Sequence, residues 1–342
     1  MKFLVTGAAG FIGSNFVRLV FRDLPDVSVV VLDSLAYSGN LSTMADFSSD
    51  SRFKFYHGQI QDVAFVDKVF SEEKITHVVN FAAESHNDRS LLDNHSFIMT
   101  NTYGVNVMLE AARRFEVERV LQVSTDEVYG SIDSGQFTEE SPIEPNTPYS
   151  AAKAGGDLLC RAHFITHKTP VIVTHGGNTY GPYHYPEKIV PFFVTRLIDK
   201  KLVPLYGEGT QVREWIHVMD HCSGILVALL KGVPGEVYNV GDVNERKNIE
   251  IVSILLDELG LDDSYIKRIP DPRKGAHDAR YSMSNDKIKS LGWSPSVPFE
   301  EGLRETVQWF VQNEPWWREI QGDPLYQDFI KAFYGRSLGD DL

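Results

Sequence analysis

The chain has 342 residues, of which 42 % are hydrophobic and 23 % are charged, and its formal net charge is -14. The composition is ordinary for a folded protein, and the length predicts one large domain with a lobe, or two domains. The negative charge argues against nucleic acid and against an anionic membrane surface as partners, because both would be repelled.

Two further observations concern location and metal binding. The only cysteines, Cys160 and Cys222, lie in helix-like stretches, where small reduced core residues are more common than a disulfide or zinc site. The apolar run at residues 1–13 is interrupted by glycines and does not resemble a signal peptide. No stretch approaches the roughly 20 apolar residues of a membrane span. We therefore expect a cytoplasmic protein without a metal site.

Short apolar runs alternate with helical segments along roughly the first 175 residues. The runs are KFLVTG, VSVVVLD, FKFYHG, THVVNFAA, RVLQVST and TPVIVTH. Continuous apolar strands joined by helices are typical of a parallel sheet covered on both faces. The sequence therefore predicts an α/β fold with a Rossmann-type, doubly wound parallel sheet.

The pattern changes after residue 175 to GGNTYGPYHYPEKIVPFF, which is rich in Gly, Pro and aromatic residues. Such a segment suits a smaller substrate-binding lobe that closes over the strand ends. The stretch 219–240 is expected to return to the large domain as a helix and a strand. The predicted dinucleotide-binding domain is thus residues 1–175 plus roughly 215–243, and the lobe is roughly 176–214 plus 244–342.

A glycine-rich turn follows the first strand. VTGAAGFIG places Gly7, Gly10 and Gly13 where the chain enters a helix, so that the backbone can approach a pyrophosphate at the helix N-terminus. Asp33 ends the second strand, where a carboxylate can bind ribose hydroxyls and would repel a 2′-phosphate. This combination predicts a dinucleotide site that favours NAD over NADP.

A phenol and an amine lie four residues apart in YSAAKAGGD. Tyr149 and Lys153 would share one face of a helix, and a nearby ammonium together with a nicotinamide cation would favour the phenolate. Tyr149 could then accept a proton from a sugar or alcohol hydroxyl. Thr125, at the end of the fifth strand, could hydrogen-bond the same oxygen.

Two adjacent carboxylates, Asp126 and Glu127, follow that strand in VLQVSTDEVYGS. Charges directly after a buried strand are costly to desolvate. By themselves they would be a solvated turn or a helix cap. They could act as an acid and a base only if their surroundings separate their pKa values.

Taken together, TGAAGFIG, NFAAESH, STDEVYG and YSAAK resemble the extended short-chain dehydrogenase/reductase superfamily. Within it the sequence is most similar to the dTDP-glucose 4,6-dehydratase family. NFAAESHNDRS, STDEVYG, NTYGPYHYPEKIVP, QVREW, YNVGDVNERKN and HDARY follow one another in the family's order over nearly the whole chain.

The resemblance implies a reaction that uses both carboxylates. Tyr149 would take the proton of the glucose 4-hydroxyl as NAD accepts hydride from C4, and the 4-ketone would acidify the C5 proton. Glu127 would remove that proton and Asp126 would protonate the departing 6-hydroxyl. Hydride would then return to C6, giving a 4-keto-6-deoxy sugar and regenerating the tightly bound NAD.

The resemblance also implies binding residues. Those at the cofactor are expected to include Phe11, Ile12, Gln59, Ile60, Ala82, Ala83 and Thr100. Those at the nucleotide-sugar substrate are expected to include Ser85, His86, Asn178, Lys188, Pro204, Tyr206, Arg213, Asn248, Arg273, Lys274, His277 and Tyr281. Lys188 and Arg213 would meet the diphosphate, and Tyr206 would stack on thymine.

The sequence departs from the family at three places. The usual Cys-Ser-Asn-Asn is GGNT, which keeps Asn178 but places Thr179 where a second Asn is common. The usual Arg-Pro-Gly-His-Asp is RKGAHD, so that Arg273 or Lys274 would contact the diphosphate, and a Lys lacks the bidentate fork. The usual GDI is GQI, in which Gln59 replaces a carboxylate.

Three other functions remain compatible with these motifs. A nucleotide-sugar 4-epimerase would share the glycine turn, Tyr149 and Lys153, but it needs no acid and base at C5 and C6. A UDP-glucose 4,6-dehydratase would share every step. A non-catalytic NAD-sensing protein of the same fold need not retain Tyr149 and Lys153. Superfamily members usually pair through helices of the large domain, so we expect a homodimer formed by the helix around 100–115 and the helix that carries Tyr149.

Overall fold

A computed structural model describes residues 1–90, 93–270 and 280–339 of the chain. The strands in this part are β1 (Lys2–Thr6), β2 (Ser28–Asp33), β3 (Phe53–His57), β4 (His77–Asn80), β5 (Arg119–Thr125), β6 (Val171–Gly176), β7 (Asn178–Tyr180), β8 (Val203–Tyr206), β9 (Val212–His217), β10 (Val237–Val240), β11 (Glu245–Lys247) and β12 (Ile266–Ile269).

The helices are α1 (Phe11–Asp23), α2 (Val63–Glu73), α3 (Asn87–Ser90), α4 (Asn94–Ile98), α5 (Val105–Arg114), α6 (Pro148–His167), α7 (Ile189–Ile198), α8 (Val218–Lys231), α9 (Asn248–Glu258), α10 (Asp286–Lys289), α11 (Phe299–Gln312), α12 (Glu314–Gln321) and α13 (Pro324–Leu338). A π-helical segment, Met99–Gly104, joins α4 to α5, and Asp126–Tyr129 forms a 3-10 turn after β5.

Seven strands form one parallel sheet in the order β10-β6-β5-β4-β1-β2-β3. The order reverses between β1 and β4, which is the switch point at which doubly wound sheets bind ligands. The first six predicted strands are β1 to β6 of this sheet. The predicted Rossmann-type fold is confirmed.

Helices cover both faces of the sheet, and the strand side chains alternate between them. Phe3 and Val5 of β1 pack in the apolar layer that holds α1 and α8, while Leu4 faces the layer of α2 and α5. All three side chains are fully buried. Burial on both faces explains why these strands are continuously apolar in sequence.

The second half of the chain builds a separate apolar core. Most of its side chains come from α7, α9, α11, α12 and α13, and others come from β7, β8 and β9. Trp215 of β9 and Trp317 of α12 are among the largest. Two small sheets, β11-β9-β7 and β12-β8, flank this core. β10 lies at the edge of the large sheet beside β6, and α8 packs on α1.

In the described ranges no helix is both long and apolar enough to cross a membrane. Within the same ranges no three His, Cys, Asp or Glu side chains cluster as metal ligands would. Cys160 and Cys222 are both buried free thiols.

Candidate active site

A cavity of about 570 Å³ opens at the carboxyl ends of the parallel strands. The glycine turn lies at one end of it, and β8 of the second half of the chain lies at the other. The ends of β5 and β6 and the first turns of α6 lie between them. The cavity therefore has room for an elongated ligand along the strand ends.

The glycine turn is built for close backbone approach. Gly7 has φ of +70°, and a Cβ there would stand 2.7 Å from the backbone nitrogen of Ala82. A Cβ on Gly13 would stand 2.5 Å from the Gly7 carbonyl oxygen. Gly10 precedes the first residue of α1, whose free N–H groups face the cavity. The turn fits a pyrophosphate, whose charge the helix N-terminus stabilises.

Asp33 ties the glycine turn to the end of β2. Its Oδ2 accepts a hydrogen bond from the Ala9 backbone N–H at 2.9 Å, and its Oδ1 accepts one from Leu35 at 2.8 Å. Burial raises the pKa of Asp33, while these two bonds oppose the rise. Each carboxylate oxygen has a second lone pair, so Asp33 can also accept from ribose hydroxyls.

Helix α6 begins with a capping box, which sets the position of its first turn. The Thr147 hydroxyl accepts a hydrogen bond from the Ser150 backbone N–H at 3.2 Å, and the Ser150 hydroxyl accepts one from the Thr147 backbone N–H at 3.1 Å. Pro148 follows the cap with φ already suited to a helix. The start of α6 at the strand ends is therefore fixed by its own sequence.

Tyr149 and Lys153 lie on one buried face of α6. Lys153 Nζ donates a hydrogen bond to the Val123 carbonyl oxygen of β5 at 2.7 Å, and burial lowers its pKa. Burial also raises the pKa of Tyr149 well above 10, and the Glu127 charge adds to the rise, whereas a hydrogen bond with Thr125 opposes it. The phenol is thus protonated until a positive group enters the cavity.

Asp126 is almost completely buried. Its Oδ1 accepts a hydrogen bond from the Thr125 hydroxyl at 3.1 Å, and its Oδ2 has no hydrogen-bond partner among the described residues. Burial raises the pKa of Asp126 well above its ordinary range, and the charges of Glu127 and Glu214 raise it further. Of the two adjacent carboxyls, Asp126 is the one whose surroundings favour the protonated form.

Glu127 lies in a more polar position than its neighbour. The side chain is half-buried, and Oε2 accepts a hydrogen bond from Nδ2 of Asn87 at 2.9 Å. The backbone N–H of Glu127 donates to the Thr125 hydroxyl at 3.3 Å, which turns the chain at the end of β5. The two adjacent carboxyls thus point into different surroundings, as an acid and base pair requires.

Cationic side chains reach the other part of the cavity. Lys188 is half-buried, and its Nζ donates to the Ser85 carbonyl oxygen at 2.7 Å. The Arg213 guanidinium is buried and lies 4.7 Å from the centre of the Tyr281 ring. These two cations can meet a diphosphate although the protein as a whole is acidic.

The end of the cavity at β8 has an apolar and aromatic wall. Pro204 and Tyr206 lie on this strand, and the Tyr206 hydroxyl donates to that of Tyr334 at 3.3 Å. Asn178 begins β7 and Asn248 begins α9, so that both amides stand at element ends beside the wall. This arrangement can hold a flat base together with its neighbouring polar groups.

The cavity lining includes every predicted site residue that the structure describes. The predicted Arg273, Lys274 and His277 lie outside the described residues. The lining also includes polar residues that the sequence reasoning did not single out, among them Glu187 and His221.

Glu187 is a buried carboxylate in the segment PYHYPEK. Its Oε2 accepts from Nε and Nη2 of Arg89 at 3.0 and 2.8 Å, and burial raises its pKa while Arg89 opposes the rise. Because Glu187 is adjacent to the predicted Lys188 in sequence, it could have been predicted as a site residue. No sequence motif pointed to His221, because it lies within a stretch that has only the ordinary spacing of a helix.

Comparisons with known proteins agree with this geometry. The profile of the family described as GDP-mannose 4,6 dehydratase matches residues 4–306. A dTDP-glucose 4,6-dehydratase from Streptomyces niveus is 47 % identical over 326 residues, which cover 94 % of this chain and 96 % of the relative. The crystal structure of DesIV, a dTDP-glucose 4,6-dehydratase from Streptomyces venezuelae with NAD and a TDP ligand bound, has a TM-score of 0.90 and 47 % identity, covering 94 % of this chain and 100 % of DesIV.

A more distant solved structure shares the fold. The UDP-glucose 4-epimerase of Thermus thermophilus, in complex with NAD, has a TM-score of 0.84 and 28 % identity, covering 92 % of this chain and 100 % of the epimerase. The fold and cavity are those of an extended short-chain dehydrogenase/reductase that acts on nucleotide sugars. The chain belongs to the dTDP-glucose 4,6-dehydratases, within the GDP-mannose 4,6 dehydratase family. The resemblance indicated by the motifs is confirmed.

Proposed function

We propose that the protein converts dTDP-glucose to dTDP-4-keto-6-deoxyglucose, a step of 6-deoxysugar biosynthesis, with NAD regenerated in each turnover. The observation that carries the proposal is the pair Asp126 and Glu127 in the same cavity as Tyr149 and Lys153. One carboxyl of the pair is buried and has a raised pKa, and the other is half-buried and hydrogen-bonded. Loss of water across two adjacent carbons needs an acid and a base at the same place.

NAD fits the end of the cavity that holds the glycine turn. Gly7 and Gly13 leave room for the pyrophosphate, and Asp33 accepts from the ribose. Gln59, Ile60, Ala82, Ala83 and Thr100 line the same part of the cavity. When bound, NAD takes hydride from C4 of the sugar and returns it at C6.

The oxidation at C4 uses three side chains, those of Thr125, Tyr149 and Lys153. Burial raises the pKa of the Tyr149 phenol; a positive nicotinamide beside it would lower that pKa and let Tyr149 take the proton of the 4-hydroxyl. Lys153, whose Nζ is held by the Val123 carbonyl oxygen of β5, lies one turn of α6 beyond Tyr149 and would supply a positive charge near the phenol. The Thr125 hydroxyl bonds the same sugar oxygen and fixes its position.

Asp126 and Glu127 serve the loss of water. The ketone at C4 acidifies the proton on C5, and Glu127 removes it. Asp126 gives its proton to the 6-hydroxyl, which leaves as water. Burial raises the pKa of Asp126 and so favours the protonated form that this step requires. Glu127 returns a proton to C5 when hydride has reached C6.

The remaining cavity residues hold the nucleotide. Lys188 and Arg213 bind the diphosphate, with Asn178 and Asn248 as neutral donors, and Tyr206 stacks on thymine beside Pro204. Ser85, His86 and Tyr281 line the sugar's part of the cavity.

We also propose that the protein is a cytoplasmic homodimer. Ile98, Tyr103, Leu158 and Ile165 are exposed apolar residues of α4, the π-helical segment and α6, which pack on one another. Such a patch is suited to pairing with a second copy about a two-fold axis. The buried free thiols fit a reducing compartment.

One incubation tests the reaction. Purified protein and dTDP-glucose should yield a product that has lost one water and that shows a 4-keto chromophore in alkali. A galactose product would instead support a 4-epimerase, and no conversion of any of several nucleotide sugars would support a sensor. Turnover of UDP-glucose in parallel measures how strictly the base is selected.

A further inference from the structure

His221, on α8, lies over the end of β6. A Cβ added to Gly176 would stand 2.4 Å from both Cε1 and Nε2 of the His221 ring, so the ring can occupy this place only because residue 176 is glycine. Gly176 is the register partner of Thr125. The His221 ring therefore stands next to the strand end that carries the reacting groups, and it lines the same cavity.

The hydrogen bonds of Thr179 determine which ring nitrogen of His221 carries the hydrogen. The Thr179 hydroxyl donates to the Gly177 carbonyl oxygen at 3.1 Å and lies 2.8 Å from His221 Nδ1. A hydroxyl has a single hydrogen to donate. Both bonds therefore form together only when Nδ1 carries the hydrogen and donates it to Thr179.

The other ring nitrogen is consequently a bare acceptor. Burial lowers the pKa of His221 to about 4, so the ring is neutral near pH 7 and Nε2 has a free lone pair. Nε2 is buried and has no hydrogen-bond partner among the described residues. A buried acceptor of this kind is normally paired, and a ligand of the cavity can supply the donor.

The nicotinamide ring is the ligand group suited to this place. To exchange hydride with a sugar carbon held by Thr125 and Tyr149, the ring must lie at the ends of β5 and β6. Its carboxamide carries N–H donors and is flat. Gly176, Gly177 and His221 line the same part of the cavity, so a flat group bound at the end of β6 would lie close to the His221 ring.

We propose that His221 Nε2 accepts a hydrogen bond from the carboxamide N–H of the nicotinamide and so favours NAD over dinucleotides that lack this N–H group. This inference rests on the proposed NAD-dependent function. His221 is thereby a specificity residue of the cofactor site, and Thr179 is a positioning residue that fixes the required tautomer. A site built to pair with an N–H group discriminates against an analogue that lacks it.

A competition between two dinucleotides tests the proposal without measuring turnover. The full chain is incubated with equal concentrations of NAD and 3-acetylpyridine adenine dinucleotide, in which a methyl ketone replaces the amide. Free nucleotide is then removed, and the bound pair is quantified by mass spectrometry. The preference of the wild type for NAD should fall about tenfold in His221→Phe, the effect of one hydrogen bond.

Two variants of Thr179 provide the matched control. Thr179→Val removes the acceptor for Nδ1–H and should reduce the preference several-fold, whereas Thr179→Ser keeps the hydroxyl and should retain it. These variants also test the proposal if His221→Phe does not fold. No preference in the wild type, or an undiminished preference in both His221→Phe and Thr179→Val, would overturn it. Failure of the wild type to retain either dinucleotide would instead refute the NAD-dependent function.

Discussion

Asp126 and Glu127 are neighbours in the chain, but the turn after β5 sends them into different surroundings. Asp126 is buried against Thr125, while Glu127 is half-buried and bonds Asn87. In the proposed reaction, this difference would allow one carboxyl to act as the acid and the other as the base. Substitution of each carboxyl by its amide can separate these two roles.

Glu127→Gln should block the loss of water while it leaves oxidation at C4 intact. The amide cannot accept the C5 proton, so turnover should fall by about 10²- to 10⁴-fold. In a single turnover with dTDP-glucose, the absorbance of enzyme-bound NADH should still appear and should then persist. Glu140→Gln, which changes an exposed carboxylate, should behave as the wild type. Full turnover in Glu127→Gln would show that another group is the base.

Asp126→Asn should stabilise the fold while it abolishes dehydration. The folded protein holds the Asp126 proton more tightly than the unfolded chain does, so the carboxyl costs stability as pH rises above its ordinary pKa of 3.8. Asn carries no such cost. The gain should be largest at neutral pH, where the unfolded chain is ionised, and it should shrink as the pH approaches 4. Thermal unfolding of both forms across this range measures it, and a gain that did not vary with pH would contradict the assignment.

The sequence indicates some of these side chains more readily than others. The spacing of Tyr149 and Lys153 is local, so the helical period alone places them on one face. Glu187 lies opposite Arg89, 98 residues away in sequence, and His221 meets Gly176 only because α8 returns to the large sheet. Such pairs depend on the packing of distant elements, which no local pattern records.

At the scale of elements, the strands were the most predictable feature. β1, β2, β4, β5 and β6 are buried on both faces, so each is a largely apolar run bounded by polar or glycine residues. The edge strand β3 is only partly buried, and its aromatic residues identified it instead. The π-helical segment Met99–Gly104 has no comparable signal. The short β7 and β11 pair with β9, and their pairing follows from the position of β9 rather than from their own composition.

The glycine turn between β1 and α1 permits a direct test. In Gly13→Ala the new methyl group would stand 2.5 Å from the Gly7 carbonyl oxygen, so the turn must move away from the place where the pyrophosphate binds. Bound dinucleotide per chain, measured after desalting, should fall at least about tenfold. Unchanged dinucleotide content would show that the turn does not hold the cofactor.

Gly335, which has no close neighbours among the described residues, provides a control for Gly13→Ala. In Gly335→Ala of α13, the nearest atom to the new methyl group is Lys331 Cγ at 3.7 Å, an ordinary contact. Dinucleotide content should be unaffected. Stability should rise slightly, by roughly 0.5 to 1 kcal/mol, because alanine favours a helix interior more than glycine does.

At the scale of the whole molecule, the exposed apolar patch on α4 and α6 predicts assembly. Leu158→Glu places a charge in the proposed contact and, through the two-fold axis, a like charge near it. Analytical ultracentrifugation should show a dimer for the wild type and a monomer for the variant. Leu325→Glu, at a similarly exposed leucine on α13, should remain a dimer. A wild type that sediments as a monomer would refute the homodimer.

The four-residue helix α3 has a consequence for how the two ends of the cavity communicate. Its Asn87 holds the Glu127 carboxylate, and two residues later its Arg89 holds the buried Glu187. Glu187 is adjacent in sequence to Lys188, the residue proposed to bind the diphosphate. A shift of the Glu187 segment would therefore move Arg89, and because Asn87 lies on the same turn of helix, the shift would also move the group that bonds Glu127. If Lys188 and Glu127 have the proposed roles, a nucleotide that displaced the Glu187 segment would also displace the side chain that positions the base, so reaction at the sugar would depend on how the nucleotide binds.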